Sequence, residues 1–268
     1  MLLSDLVSYF DCSPFFDKIG DILIEISSIN EISIKTSLVR FISTVSYYHS
    51  SHQLGSILNA DFVSYICCSL DPNRNELNNT IFMALNNLCN SNQEISNLVA
   101  ESPVLNVDFN VFHFQNREIK NYFKLISTLF EFSQSFTNIN QNIGVILNNI
   151  SLSANISFKI TKNCCYAISN LILMENQEIM SHLIDFREYI EDNFISMFQS
   201  NDLNLIKKIL KSIYLLMNYS RNFCLDNQIR DDFLQNGIQE QIDELDQSQN
   251  NKDCHDIIEL IRHECNTE

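Results

Sequence analysis

Apolar positions along the chain recur with the period of a helix. Across residues 157–174, Phe158, Thr161, Cys165, Ile168 and Ile172 follow one another at steps of 3, 4, 3 and 4, which gathers them on one face. The stripe returns elsewhere. A shift of 48 residues forward reaches Ile206, Ile209, Ile213 and Leu216, and a shift of 42 back reaches Ile119, Phe123, Ile126 and Phe130. Two further steps of 41 reach Phe82, Leu85 and Cys89, then Phe41, Thr44 and Tyr48. Five helices are therefore predicted at near-equal intervals. The stretches between them, beginning at His52, Asn92, Asn176 and Asn227, each read as an amphipathic helix, a short break and a second helix. Residues 135–156 fit this pattern poorly and are expected to be shortened or irregular.

A period near 40 residues with three helical pieces per unit is the signature of armadillo or HEAT arrays. One such unit cannot cover its own apolar face, and stacked neighbours do so. With only 4 Gly and 3 Pro in 268 residues, the chain has too few turn-formers for a sandwich or barrel of many short strands. The expected fold is all-α, an armadillo-type (ARM/HEAT) right-handed superhelical solenoid of about five to six repeats. No low-complexity linker interrupts it, so residues 1–268 read as a single armadillo-repeat domain.

Composition narrows the function classes. The formal net charge is −16, and residues 226–268 hold 12 Asp and Glu against 3 Lys and Arg. Phosphate backbones would be repelled, which argues against nucleic-acid binding. The 9 cysteines include the neighbours Cys67, Cys68 and Cys164, Cys165 inside apolar runs, a usage that fits small buried hydrophobes in a reducing compartment. The first residues lack a basic n-region and carry Asp5 where a signal peptide would remain apolar. No apolar run approaches the ~20 residues that span a bilayer. These features point to the cytoplasm or nucleus, and they make the Asn-x-Ser/Thr sequons at Asn78, Asn149, Asn155 and Asn218 chance matches.

If the apolar stripe faces the core, Tyr166 and Asn170 point well away from it, one turn apart, as an exposed pair. Tyr214 with Asn218 and Met83 with Asn87 repeat the arrangement. Evenly spaced amides, each a donor and an acceptor, could pair with the backbone of an extended peptide, and the aromatic faces could hold Lys or Arg heads. The phrases CCYAISNLILMENQEIMSHLID and FMALNNLCNSNQEISNLV, with the ending FLQNGIQEQIDELDQSQNNKDCHDIIELIRHE, resemble the armadillo repeats of importin-alpha. That resemblance implies a nuclear-import adaptor whose third helices bind Lys/Arg-rich signals through Met83, Asn87, Tyr166, Asn170, Tyr214 and Asn218. The chain departs from the family in having no Trp, and its remaining third helices carry Ile42 with Ser46 and Lys124 with Thr128 at the equivalent places. Residues 1–39 hold only Lys18 and Lys35, so the basic arm that recruits importin-beta is not recognisable.

Other chemistry is weakly signalled. Cys254, His255, His263 and Cys265 are zinc-ligand types, but their spacing does not close a tetrahedron on one helix. No Gly-rich phosphate loop, GxSxG elbow or HExxH is present, and no catalytic residue, metal or cofactor is assigned. Two readings remain: an importin-alpha-like adaptor, and a general armadillo scaffold for assembling protein complexes that no longer binds nuclear-localisation signals.

Overall fold

The computed structural model describes residues 25–26, 29, 31–48, 60–90, 92–153, 156–224, 228–247 and 254–266, and among these every regular element is helical. The readings made for the start of the chain up to residue 24, for residues 52–59 and for Asn155 lie outside the described residues. No helix among the described residues is long and apolar enough to cross a membrane. The described residues fall into two compact units, divided between Asn149 and Ile150.

The first unit contains α1 (Ile32–Tyr48), α2 (Ala60–Cys67), α3 (Asn75–Cys89), α4 (Gln93–Ala100), the short α5 (Phe109–Phe112), α6 (Asn116–Phe132) and most of α7 (Phe136–Ser153). The long helices α1, α3 and α6 pack side by side in that order, with α4 against both α3 and α6. Phe82, Phe109, Phe114, Tyr122 and Phe123 form an edge-to-face cluster with ring centroids 5.1–5.6 Å apart. Such pairs add to the stability that their buried area supplies. Two fully buried asparagines pin loops to this core. Asn78 accepts from the Asp71 amide and donates to its carbonyl, and Asn149 accepts from the Phe109 amide and donates to the Val107 carbonyl. Both lie in sequons, and burial closes them to modification in the folded chain.

The second unit contains α8 (Phe158–Leu173), α9 (Gln177–Asp185), α10 (Arg187–Met197), α11 (Leu203–Tyr219), α12 (Gln228–Gln235), α13 (Ile238–Gln247) and α14 (His255–Asn266). Here α8, α11 and α14 are the successive long neighbours. Ile168, Ile209, Ile213 and Ile258 are fully buried in the core of this unit, together with Phe194 and Phe233. The repeated phrase NQEI acquires a physical meaning in both units. Asn92 and Asn176 are N-caps whose side chains accept from amides of the first turn, and Ile95 and Ile179 are buried beneath them.

Three expectations are corrected. Residues 136–153 are not shortened or irregular: α7 is one 18-residue helix. Ile139, Ile143, Ile146 and Ile150 supply a buried stripe, and that burial outweighs the weak helix propensity of the many Asn residues between them. The apolar stripe also fails at its ends, because Phe158 is 57% exposed and Tyr48 52% exposed. In α1 the buried face runs instead through Leu38, Phe41, Ile42 and Val45. Finally, the step of 48 between α8 and α11 is not the structural one. Their N-caps, Ser157 and Asp202, stand 45 apart, and at that step the buried Ile160, Cys164 and Ile168 coincide with the buried Leu205, Ile209 and Ile213.

Candidate functional site

Helices α3 and α6 of the first unit are joined by neutral polar contacts. Asn121 donates to Asn79 Oδ1 at 2.7 Å, and Thr128 donates to Asn86 Oδ1 at 2.9 Å. Beside these bonds Met83 is 40% exposed and Asn87 is half-buried. A cleft of about 610 Å³ opens there, lined by Ser37, Arg40, Glu76, Thr80, Met83 and Arg117 among others. Arg40 and Glu76 form an ion pair across it. Of the positions aligned with Met83 and Asn87, Lys124 is exposed while Ile42, Ser46 and Thr128 are buried. The face is thus accessible at Met83 and Lys124 and partly at Asn87 and Asn121, while Asn79, Asn86 and Thr128 are buried between the helices and α1 is closed at Ile42 and Ser46.

In the second unit the same face is ionic. Asn170, expected to be exposed, is 3% exposed, and its Oδ1 accepts from Lys208 Nζ at 2.7 Å. The Lys208 ammonium also lies 5.9 Å from the centre of the Tyr166 ring. Tyr166 is half-buried and donates to Asp202 Oδ1 at 2.9 Å, and Lys162 pairs with the other oxygen of the same carboxylate at 2.6 Å. Burial works to raise the Asp202 carboxyl, but Lys162, the Leu205 amide and the Tyr166 hydroxyl together hold it below the usual carboxylate value. The predicted pair Tyr166 and Asn170 therefore does hold a cation over an aromatic face, and that cation belongs to the chain itself.

Tyr214 and Asn218 are both half-buried. With the N-cap step of 45, the places of Tyr166 and Asn170 fall on Lys211 and Leu215, so Tyr214 and Asn218 stand about one turn further along α11. Asn218 accepts from Arg221 at 3.1 Å and from Asn222 at 2.8 Å. It lines a cleft of about 250 Å³ with Glu175, Leu215, Tyr219 and Phe223. A π-helical turn, Ser220–Cys224, continues α11 and stacks Phe223 on Tyr219 at 4.8 Å. The sequence reading missed Lys208, Asp202 and this stacked pair. Lys208 and Asp202 had a signal in the cap position and the lysine-rich run; the π-turn had none.

Several of the remaining reactive groups are quenched by their surroundings. Burial pushes the thiols of Cys67, Cys89 and Cys165 up to about 12, away from thiolate chemistry at neutral pH. Cys254 is buried, whereas His255 is exposed and turns to Asp246 at 3.0 Å. Hydrogen bonding to Asp246 raises His255 above its ordinary pKa and correspondingly lowers Asp246. Asp246, His255 and Glu259 are close enough to share an ion, but Asp246 and Glu259 are already engaged by Arg262.

No family model and no curated protein matches the chain. Solved structures do. A designed armadillo repeat protein is similar at TM-score 0.70 and 17% identity, over 92% of this chain and 100% of that one. Computationally designed armadillo repeat proteins for modular peptide recognition give TM-score 0.71 at 16% identity, with the same coverage. A designed armadillo repeat protein in complex with the peptide (KR)4 gives 0.68 at 15% identity, covering 92% and 99% of the two chains. At these identities the likeness speaks for the backbone. This chain has the all-α, armadillo-type repeat fold that its 40-residue period implies.

Proposed function

We propose that this protein is a binding scaffold whose third-helix face holds an extended segment of a partner protein. The observation that carries the reading is the open cleft of about 610 Å³ lined by the exposed Met83, with the half-buried Asn87 and Asn121 on the same pair of helices. The half-buried amides of Asn87 and Asn121 can each donate to and accept from a peptide backbone. Designed proteins of the same fold are described as made for modular peptide recognition, and one as complexed with a peptide. Met83, Asn87, Tyr166, Asn170, Tyr214 and Asn218 are the proposed contacts, with Asn170 reached only by displacing Lys208. Residues 1–268 are taken to work as one armadillo-repeat domain, without catalysis or cofactor. The free buried thiols Cys67, Cys164 and Cys165 fit a cytoplasmic or nuclear setting.

The narrower reading, an importin-alpha-like adaptor for Lys/Arg-rich signals in nuclear import, is favoured by one feature: Tyr166 and Asn170 do hold an ammonium. Fluorescence polarisation tests both. Labelled extended peptides of either charge are titrated at low salt, and Asn87→Ala with Asn218→Ala should weaken whichever binds by about tenfold. Absence of binding to every peptide overturns the scaffold. Binding of acidic peptides alone overturns the adaptor.

A further inference from the structure

Helices α8 and α10 of the second unit pack on one another and leave a cleft of about 420 Å³ between the first turn of α8 and the later turns of α10. Ser157, Phe158 and Thr161 stand on one side of it, and Asp192, Asn193 and Ser196 on the other. The whole lining falls inside one unit. It includes none of the contacts proposed above for an extended segment, so its chemistry is a separate matter.

Hydrogen-bonding capacity around this cleft is unevenly spent. Thr161 gives its hydroxyl proton to the Ser157 carbonyl at 3.1 Å, and Ser196 gives its own to the Asn193 carbonyl at 2.7 Å. Asn193 donates through its side-chain nitrogen to the Tyr189 carbonyl at 2.7 Å. Donors are thus turned onto each helix's own backbone, and lone pairs are most of what the walls still offer. Asp192 adds an exposed carboxylate that makes no hydrogen bond or salt bridge with a described residue. Its charge is felt by Glu191, whose carboxyl it helps to raise, and the exposed Glu188 stands one turn before it. The nearby cations are committed or elsewhere: Lys162 pairs with Asp202 at 2.6 Å, Arg187 with Asp232 at 2.9 Å, and the exposed Lys159 is not part of the lining. Phe158 completes the site, because the ring that the apolar stripe would bury is 57% exposed.

We infer that the cleft between α8 and α10 receives an arginine side chain of a partner protein, a contact that stands apart from the third-helix reading and does not depend on it. A guanidinium carries only donors and a permanent charge, so it matches walls rich in acceptors beside one unpaired carboxylate. Its plane can also lie on an aromatic ring such as Phe158, which the compact ammonium of lysine does less well. The volume suits one long side chain, being within the range of about 300–1,000 Å³ found for sites that hold small groups. An anion fits worse, although α8 begins here. The Ile160 amide already donates to Ser157 Oγ at 3.4 Å, and Asp192 would repel a second negative charge.

Two-dimensional NMR of the full isotope-labelled chain reads the site directly, with N-acetylarginine amide as the probe and N-acetylcitrulline amide as its neutral isostere. A single side chain should bind with a Kd of about 1 mM and move the amide signals of Ser157, Asp192, Asn193 and Ser196. Citrulline should leave them in place, which reads the charge requirement without any variant. Asp192→Asn and Phe158→Ala should each weaken arginine binding by about threefold or more, with circular dichroism checking that both variants are folded. Shifts confined to these residues support the inference even if no peptide binds the third-helix face, so the two readings can fail separately. An equal response to citrulline, or arginine shifts gathered away from the cleft, would overturn it. N-acetyllysine amide binding more tightly than the arginine probe would overturn the choice of a guanidinium, and inorganic phosphate moving the same signals in place of arginine would give the cleft to an anion.

Discussion

The two units build the same helical triplet from different materials. In the first, an aromatic cluster around Phe82 and Tyr122 fills the core, and neutral amides and hydroxyls join α3 to α6, beside one exposed ion pair from Arg40 on α1 to Glu76 on α3. In the second, the core is mostly aliphatic with Phe194 and Phe233 buried singly, and the corresponding contacts carry charge, with Lys208 on Asn170, Lys162 on Asp202 and a carboxylate, Glu191, buried at 2% exposure. Backbone geometry evidently tolerates either solution, since helix stacking needs apolar faces of the right period and little else. Response to conditions is where the difference should appear: acid, base and salt act on charges and leave neutral amides alone.

The largest effect is expected from Phe82→Ala. Its ring is fully buried and touches Phe114 and Tyr122 at 5.6 and 5.5 Å, so truncation should cost about 3–5 kcal/mol. Denaturant unfolding followed by circular dichroism measures the loss. Hydrogen exchange should place it in the first unit; equal loss of protection around Ile209 and Ile213 would abolish the distinction between the units.

Asn149→Ala comes next. Both ends of that buried amide are bonded to backbone at residues 107 and 109, and leaving those groups unpaired should cost about 2–3 kcal/mol at any pH between 5 and 8. A loss that varied with pH would be contrary to a neutral amide pinning this loop.

Glu191→Gln sharpens the contrast from the other side. Burial first, and then the nearby Asp232, push the Glu191 carboxyl up to about 7, while Asn236 donates to one of its oxygens at 3.0 Å. The other oxygen has no hydrogen-bond partner among the described residues. A folded pKa above the unfolded value means that the stabilising contribution is complete below the unfolded carboxyl pKa and is lost as pH rises through about 7. Between pH 5 and pH 8 the wild type should therefore lose on the order of 1–2 kcal/mol that the Gln variant keeps. Parallel denaturation midpoints for the two proteins across that range would contradict the assignment.

The smallest effect concerns the polar contacts between long helices. Lys208→Met removes the donor to Asn170 and should cost no more than about 1 kcal/mol, a cost that high salt diminishes. Asn121→Ala should cost a similar amount at every salt concentration, because its bond to Asn79 carries no charge. Identical salt responses in the two variants would remove the ionic-versus-neutral difference.

Much of the fold could be read from residues alone. The stripe through Ile119, Phe123, Ile126 and Phe130 is buried as expected, and so is the one through Ile206, Ile209, Ile213 and Leu216. The candidate site was legible only in part. Met83 is exposed, but Asn170 is not, because an angular offset from the apolar stripe says which way a side chain leaves its own helix and nothing about the neighbour that covers it. Helix α7 was unread for a related reason: its Asn-rich composition argues against a helix, and only the burial of Ile139, Ile143, Ile146 and Ile150 overrules it.

Local periodicity and capping chemistry determined that this chain is a series of amphipathic helices about 40 residues apart, since hydrophobic burial at 3.6 residues per turn and an Asn at the first turn are decided within a few neighbouring residues. Register and occupancy were decided only by tertiary structure. The 45-residue step from Ser157 to Asp202, and the seating of Lys208 on Tyr166 and Asn170, depend on how one helix is set against the next. That setting is chosen by side-chain packing between segments distant in sequence, to which no spacing within a single helix gives access.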